Sequence, residues 1–186
     1  MISLVFIRHG ATEGNLFQKY IGRTDEPLCE KGIRQALKLK DNNFPKEHIF
    51  VSPMKRTIQT AELIFPKSKY VIEENFKEMD FGIFENKNAF DLGDSVQYRL
   101  WVDSMCTLPV PGGESVTGFK KRCIDAFDKI VTLLPDNSKA SFVIHGGVIM
   151  SILEAFARPK RSFYDYHIKN GEYLCCRFED GIISIV

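Results

Sequence analysis

Three short apolar runs constrain this chain more than any other feature. Leu4-Val5-Phe6-Ile7, His48-Ile49-Phe50-Val51 and Ser141-Phe142-Val143-Ile144 are too short for helices and carry almost no alternation of polarity. Runs of this kind read as strands buried on both faces, and such strands belong to parallel sheets covered by helices. Helical spacing fills the intervals between them. Glu30 to Lys40 places Ile33, Ala36 and Leu37 on one face. Ser52-Pro53 reads as an N-cap followed by proline at the first helical position. Met54, Ile58, Ala61 and Phe65 continue that helix until Pro66. Asp94 to Ser104 sets Val96, Leu100 and Trp101 on one side. From Ser115 to Leu134 the residues Val116, Phe119, Cys123, Ala126, Phe127, Ile130 and Leu134 recur at helical spacing, which predicts the longest helix. A helix from Val148 to Ala157 follows His145-Gly146-Gly147. Tyr70-Val71-Ile72 adds a strand, and Asp180-Gly181 between two β-prone runs predicts a C-terminal hairpin. The sum is an α/β three-layer sandwich, a largely parallel sheet with helices on both faces.

A chain of 186 residues, 44% hydrophobic and 26% charged, fits one domain over residues 1–186, with a small inserted cap at about 81–113. The net charge of +1 lacks the strong basic field of a nucleic-acid binder. No stretch approaches the ~20 apolar residues of a membrane span, and the N-terminus reads as a strand rather than a signal peptide. Cys29, Cys106, Cys123, Cys175 and Cys176 are odd in number and form no C-x-x-C pair. That argues against a disulfide framework or zinc site and points to a reducing cytoplasm.

In parallel sheets, ligands bind beyond the carboxyl ends of the strands. Two strands end in histidine, as Ile7-Arg8-His9-Gly10 and Ile144-His145-Gly146-Gly147, and Val51-Ser52-Pro53-Met54-Lys55-Arg56 puts an arginine at the start of a helix. If these strands are neighbours, Arg8, His9, Arg56 and His145 converge, together with helix N-termini, on a pocket for phosphate. His48 and His167 have no such context and read as solvated or core histidines.

These segments carry a resemblance to a known family. Arg8-His9-Gly10-Ala11-Thr12-Glu13-Gly14-Asn15 resembles the R-H-G-x-T-x-x-N signature of the histidine phosphatase, or phosphoglycerate-mutase-like, superfamily. Similar motifs are Ile21 to Leu28, Ser52 to Ala61, Glu78 to Glu85, Gly112-Gly113-Glu114-Ser115 and His145-Gly146-Gly147. The resemblance implies that His9 attacks phosphorus as a neutral imidazole, its other nitrogen held as a donor, for instance by a backbone carbonyl. Arg8 and Arg56 would clamp phosphate oxygens, while His145 and Asn15 bind the same group. Thr12, Gly22 and Gly146 are further expected phosphate or substrate contacts. Glu78 would be the general acid, which must hold a proton near neutral pH, and partial burial promotes that. Glu114 and Ser115 either cap the long helix or touch substrate. With so many cations, neither metal nor cofactor is expected. Three departures stand out. Cys29 replaces a capping Ser or Thr, Ile21 replaces a small polar residue, and Asn86 stands where glycine is common.

The partner expected is a small phosphorylated metabolite. A mutase needs an enclosed pocket with extra cations for a carboxylate, and this short chain lacks a long basic insertion. Hydrolysis is therefore expected over mutase activity, with a phosphoglycerate mutase or a sugar bisphosphatase as the alternative. A non-catalytic phospholigand binder is the weaker alternative, since binding needs no Glu78. Tyr98 to Asp103, Leu108 to Ser115 and Phe119 to Arg122 resemble α-ribazole phosphatases of cobalamin assembly. Phe84, Phe90, Tyr98 and Trp101 either line a slot for a flat ring or form the core of the cap.

Overall fold

The apolar runs pair as parallel strands at the centre of a six-stranded sheet. The structure, a computed structural model, describes residues 1–186. Its elements are β1 (Ile2–Arg8), α1 (Glu13–Leu16), α2 (Glu30–Leu39), β2 (His48–Val51), α3 (Lys55–Ile64) and β3 (Val71–Ile72), then α4 (Val96–Asp103), α5 (Val116–Leu133), β4 (Lys139–Ile144), α6 (Gly146–Phe156), β5 (Tyr173–Glu179) and β6 (Ile182–Ile185). The sheet order is β3-β2-β4-β1-β5-β6. The first three pairings are parallel, and β5 and β6 join antiparallel at one edge. The β5–β6 turn has positive φ at Asp180 (50°) and Gly181 (74°), the backbone that an Asp-Gly hairpin turn requires.

Both faces of the sheet are dry at its centre, on β1 and β4. Leu4, Phe6, Phe142 and Ile144 face the larger core, with α5 and α6, whereas Val5, Ile7 and Val143 face the smaller one, with α2 and α3. Side chains alternate across the sheet, yet on β1 and β4 almost none reaches water, so those runs are continuously apolar, whereas β3, β5 and β6 toward the edges are partly exposed. Phe142 is the hub of the larger core. It is fully buried, and its ring lies 5.3 Å from Phe6, 5.2 Å from Phe50, 5.7 Å from Phe127 and 6.0 Å from Phe76.

Register levels the strand ends. Arg8 pairs with Ile144 and Val51 with Val143. The ladder runs one residue further, through His9 N–H to the Ile144 carbonyl (3.1 Å) and Ser52 N–H to the Val143 carbonyl (3.2 Å). His9, Ser52 and His145 thus leave adjacent strands at one edge.

Several local expectations fail for tertiary reasons. On α2, Ile33 and Leu37 are 40% and 44% exposed, and the inward face is Gly32, Ala36 and Leu39. The helix lies so close to the chain after β1 that a Cβ on Gly32 would stand 2.0 Å from the Ala11 carbonyl oxygen, so small residues make the contact. Ser52 does not cap α3, which begins at Lys55 with Met54 at the N-cap and no side-chain cap bond. On α4, Tyr98 and Trp101 point inward while Val96 and Leu100 are exposed. The helix α6 starts at Gly146 rather than Val148, and the expected loop after His9 contains α1. As expected, Cys29 at the N-cap of α2 makes no side-chain cap bond. Residues 81–113 hold one 3-10 turn (Gly82–Phe84) and α4, and contribute Phe84, Leu92, Tyr98, Trp101 and Val110 to the larger core. All five cysteines are free thiols, and no helix is long and apolar enough to cross a membrane.

Truncating Phe142 to alanine removes partners from four rings in a core unable to refill the space. Phe142→Ala is expected to cost about 3–5 kcal/mol in urea unfolding. A loss under about 1 kcal/mol would show that this part of the core collapses freely.

Candidate active site

The floor of the site is a group of buried cations and imidazoles at the levelled strand ends. His9 is 4% exposed. Its Nδ1 lies 2.7 Å from the Gly10 carbonyl oxygen, which can only accept, so Nδ1 carries the proton and Nε2 keeps a free lone pair. Burial, then Arg56 and Arg8, push the His9 pKa well below the ordinary imidazole value, so the ring is neutral. Gly10 permits this placement, because a Cβ there would lie 2.4 Å from the Gly32 carbonyl oxygen.

His145 sits beside it, with ring centroids 5.0 Å apart and planes at 67°. Arg56 Nε donates to His145 Nδ1 at 3.3 Å, so the proton of the neutral ring is on Nε2 and is donated to Ser52 Oγ, 2.7 Å away. Burial, followed by Arg56, His9 and Arg8, lowers this pKa as well. Ser52 therefore orients His145. In sequence it looked like a helix cap, and nothing local distinguishes the two roles.

The two arginines are held differently. Arg56 is fully buried, and donates through Nη1 to the Thr24 carbonyl (2.9 Å) and through Nη2 to the carbonyls of Gly22 (2.9 Å) and Ile21 (3.4 Å). Most of its fork is thus occupied by the Ile21–Thr24 loop, leaving less of it for a bidentate phosphate clamp than the sequence suggests. Arg8 Nη1 donates to the Ile168 carbonyl (2.7 Å) and to His167 Nε2 (3.1 Å), while its Nε is buried with no acceptor. His167, expected to be an unrelated histidine, is part of the site. No local pattern marks it, because it reaches Arg8 across 159 residues. His48 lies elsewhere, its Nε2 3.4 Å from Glu47 Oε1.

Glu78 forms the opposite wall. Its Oε2 accepts from the Gly147 N–H and its Oε1 from the Met79 N–H, both at 2.9 Å. The carboxyl is half-buried at the N-terminus of α6. Asn15 Oδ1 accepts from the Thr12 N–H (3.2 Å) and Asn170 Nδ2 (3.1 Å), so its own amide N–H groups are left over as donors beside the cavity. Asn170, unmarked in sequence, also donates to the His9 carbonyl at 3.2 Å.

The remaining expected contacts divide. Gly146 lines the cavity, and a Cβ there would lie 3.2 Å from Arg8 Cζ. Thr12 is fully buried, and its hydroxyl caps α1 by accepting from the Asn15 N–H at 3.3 Å, away from the cavity. Gly22 is a spacer, since a Cβ would meet the Met79 carbonyl oxygen at 1.8 Å. Ser115 caps α5, accepting from the Gly118 N–H at 3.1 Å, and Glu114 pairs with Arg122. Thr12, Gly22, Ser115 and Glu114 do not line the cavity.

A cavity of ≈ 380 Å³ opens beside Arg8, and His9, Arg56 and His145 lie behind its lining rather than in it. Arg8, Asn15, Glu78 and His167 form its polar end, and Tyr20, Phe81, Trp101, Phe119, Phe163 and Tyr164 supply aromatic walls. Of the aromatics singled out in sequence, Trp101 lines it. Phe84 and Tyr98 are core, and Phe90 is 94% exposed.

The Ile21–Thr24 loop is gripped from its other side by Glu85. This carboxylate accepts from the main-chain N–H groups of Gly22 (3.2 Å), Arg23 (2.8 Å), Thr24 (3.1 Å) and Phe81 (3.0 Å), and from the Thr24 hydroxyl (2.6 Å). Guanidinium on the carbonyls and carboxylate on the amides give the loop one shape.

The chain matches the histidine phosphatase superfamily (branch 1) over residues 4–186. A relative named "Probable phosphoglycerate mutase GpmB" from Yersinia pestis is 33% identical over 162 residues, covering 82% of this chain and 75% of that protein. Its namesake from Proteus mirabilis is 28% identical over 187 residues, covering 93% and 86%. Among solved structures, the alpha-ribazole phosphatase from Shigella flexneri superposes with a TM-score of 0.87 at 24% identity, covering 99% of this chain and 94% of that one, a likeness of fold. TTHB049 from Thermus thermophilus gives a TM-score of 0.73 at 26% identity, covering 93% and 92%.

Burial acts to raise the Glu85 pKa, but the Thr24 hydroxyl and the Phe81, Arg23 and Thr24 amides outweigh it and hold the group below the ordinary carboxylate range. A carboxyl depressed on folding stabilises above its unfolded pKa, and that stability is lost as pH falls through the folded value. Glu85→Gln is therefore expected to cost about 2 kcal/mol at pH 7 and clearly less near pH 3. Urea melts at both pH values check this, and an equal cost at each would refute it.

Proposed function

Because the chain belongs to branch 1 of the histidine phosphatase superfamily, we propose that it is a metal-independent phosphomonoesterase working through a phosphohistidine at His9. The observation that carries this reading is the 2.7 Å bond from His9 Nδ1 to the Gly10 carbonyl, which leaves Nε2 as a neutral nucleophile among cations. In the first step Nε2 attacks phosphorus in line and the phosphorus–oxygen ester bond breaks. Glu78 delivers a proton to the leaving alkoxide. In the second step Glu78 takes a proton from water, which attacks phosphorus, releasing phosphate and regenerating His9. Arg8, Asn15 and the free part of the Arg56 fork hold the equatorial oxygens. His145, whose Nδ1 accepts from Arg56 Nε and whose Nε2 donates to Ser52, contributes by holding the Arg56 guanidinium in place. The orphan Arg8 Nε supports phosphate binding, since an oxyanion is the acceptor it lacks.

The cavity walls favour a bulky, flat alcohol over a sugar acid. Phosphoglycerate needs cations for its carboxylate, and beyond the phosphate floor the cavity offers Lys19 and the His167 rim. Its aromatic walls suit a phosphate ester of α-ribazole type, with residues 81–113 acting as a cap that contributes Phe81 and Trp101. The names of the curated relatives favour the competing mutase reading. Five free thiols suit a cytoplasmic location.

Phosphate release from p-nitrophenyl phosphate in excess chelator is expected, with trapping of an acid-labile phosphohistidine. His9→Ala should abolish both while leaving the protein folded, and residual turnover above about 1% would remove the nucleophile assignment. Comparing kcat/KM for α-ribazole 5′-phosphate with mutase activity on 3-phosphoglycerate decides between the two substrate readings. The pH profile is a further check. Since His9 is held well below the ordinary imidazole value, the acid limb of kcat/KM should lie well below about pH 6.5. An acid limb at the free imidazole value would contradict the buried neutral nucleophile.

A further inference from the structure

We propose that Arg122, on α5, is a positioning residue for the general acid Glu78, an inference that rests on the acid role proposed above. The stretch from Asn75 to Asp80 has almost no regular structure, only the end of a one-turn 3-10 helix (Glu74–Phe76). Arg122 supplies the order instead. Its Nη2 donates to the Glu78 carbonyl (3.1 Å), and its Nη1 donates to the carbonyls of Lys77 (2.8 Å) and Asn75. Its Nε and Nη2 form a two-point ion pair with Glu114, at 2.7 Å and 2.9 Å. All five guanidinium N–H groups are thereby used. Glu114 closes the circuit, as its main-chain N–H donates to the Asp80 carbonyl at 3.0 Å.

The guanidinium also lies over the Phe119 ring, 4.9 Å from its centroid, and Phe119 lines the cavity. Both members of the ion pair are mostly buried, at 17% and 19% side-chain exposure. A pair withdrawn from water to this extent persists only when its remaining donors and acceptors are satisfied, and here main-chain carbonyls satisfy them. The device places the Glu78 side chain against the Gly147 N–H, where the leaving oxygen must arrive. Lysine cannot substitute, because an ammonium has three donors and no planar fork.

A residue that only stabilises the fold would slow all substrates alike, whereas one that positions the acid matters most when the leaving group is poor. The test compares kcat/KM for benzyl phosphate and 2,4-dinitrophenyl phosphate in the full-length enzyme. Arg122→Met and Arg122→Lys are expected to lose about 100-fold on benzyl phosphate and little on the dinitrophenyl ester. Combined with Glu78→Gln, Arg122→Met should cause no further loss on benzyl phosphate. Equal losses on both esters by folded Arg122 variants, or losses that multiply with Glu78→Gln, overturn the proposal. Should the Arg122 variants fail to fold, Glu114→Gln keeps the arginine and weakens the pair. It is expected to show the same selectivity in smaller measure, and its absence overturns the proposal. Glu78→Gln read alone keeps the two ideas apart. If it slows both esters equally, the acid role itself fails. If it is selective and Arg122→Met is not, positioning alone fails.

Discussion

Arg56 is the largest side chain that the protein buries completely, and much of the site follows from accommodating its charge. A guanidinium removed from water must find acceptors, and Arg56 finds them in the carbonyls of Ile21, Gly22 and Thr24 and in His145 Nδ1. Each partner is constrained in return. The loop must present its carbonyls inward, so its amides face outward to Glu85. His145 must keep a lone pair on Nδ1, so its proton goes to Ser52. His9, beside the same charge, is driven toward its neutral form. One buried cation thus shapes a loop and orders the protons of two imidazoles.

The site joins two environments that are usually in conflict. Its floor concentrates donors and positive charge where an anion can be met without reorganisation, which is the arrangement that stabilises charge developing in a transition state. The cavity beside it is walled largely by aromatic and apolar side chains. Glu78 sits at the boundary, tied by its carboxyl to α6 and by its backbone to Arg122 on α5. Glu78 is therefore placed by two helices from the opposite face of the sheet to α3, which carries Arg56. Convergence of these side chains depends on the sheet keeping both layers in place.

Much of this molecule is legible along the chain, and the illegible part has a common cause. The strands at Leu4–Ile7, His48–Val51 and Ser141–Ile144 are legible because burial on both faces leaves no polar side chain to interrupt the run. The long helix and the Asp180-Gly181 turn are legible because their signals are local. The faces of α2 and α4 are not. Gly32 and Ala36 turn inward because backbone passes close by, and Ile33 and Leu37 are left outside. In the site, His9, His145, Arg8, Arg56 and Glu78 stand out because each lies in a motif of several residues. Ser52, Glu85 and Arg122 lie in such segments too, but their roles, like those of His167 and Asn170, are set by partners 93, 62, 44, 159 and 155 residues away.

What the sequence determined by itself was the set of elements and the chemistry available at the strand ends, since both depend on residue type and short-range spacing. What only the tertiary structure decided was which nitrogen of each imidazole holds the proton, which carbonyls occupy the Arg56 fork, and which aromatic rings wall the cavity. Those outcomes depend on partners that distant segments bring within hydrogen-bonding or packing distance, and no local pattern encodes a partner.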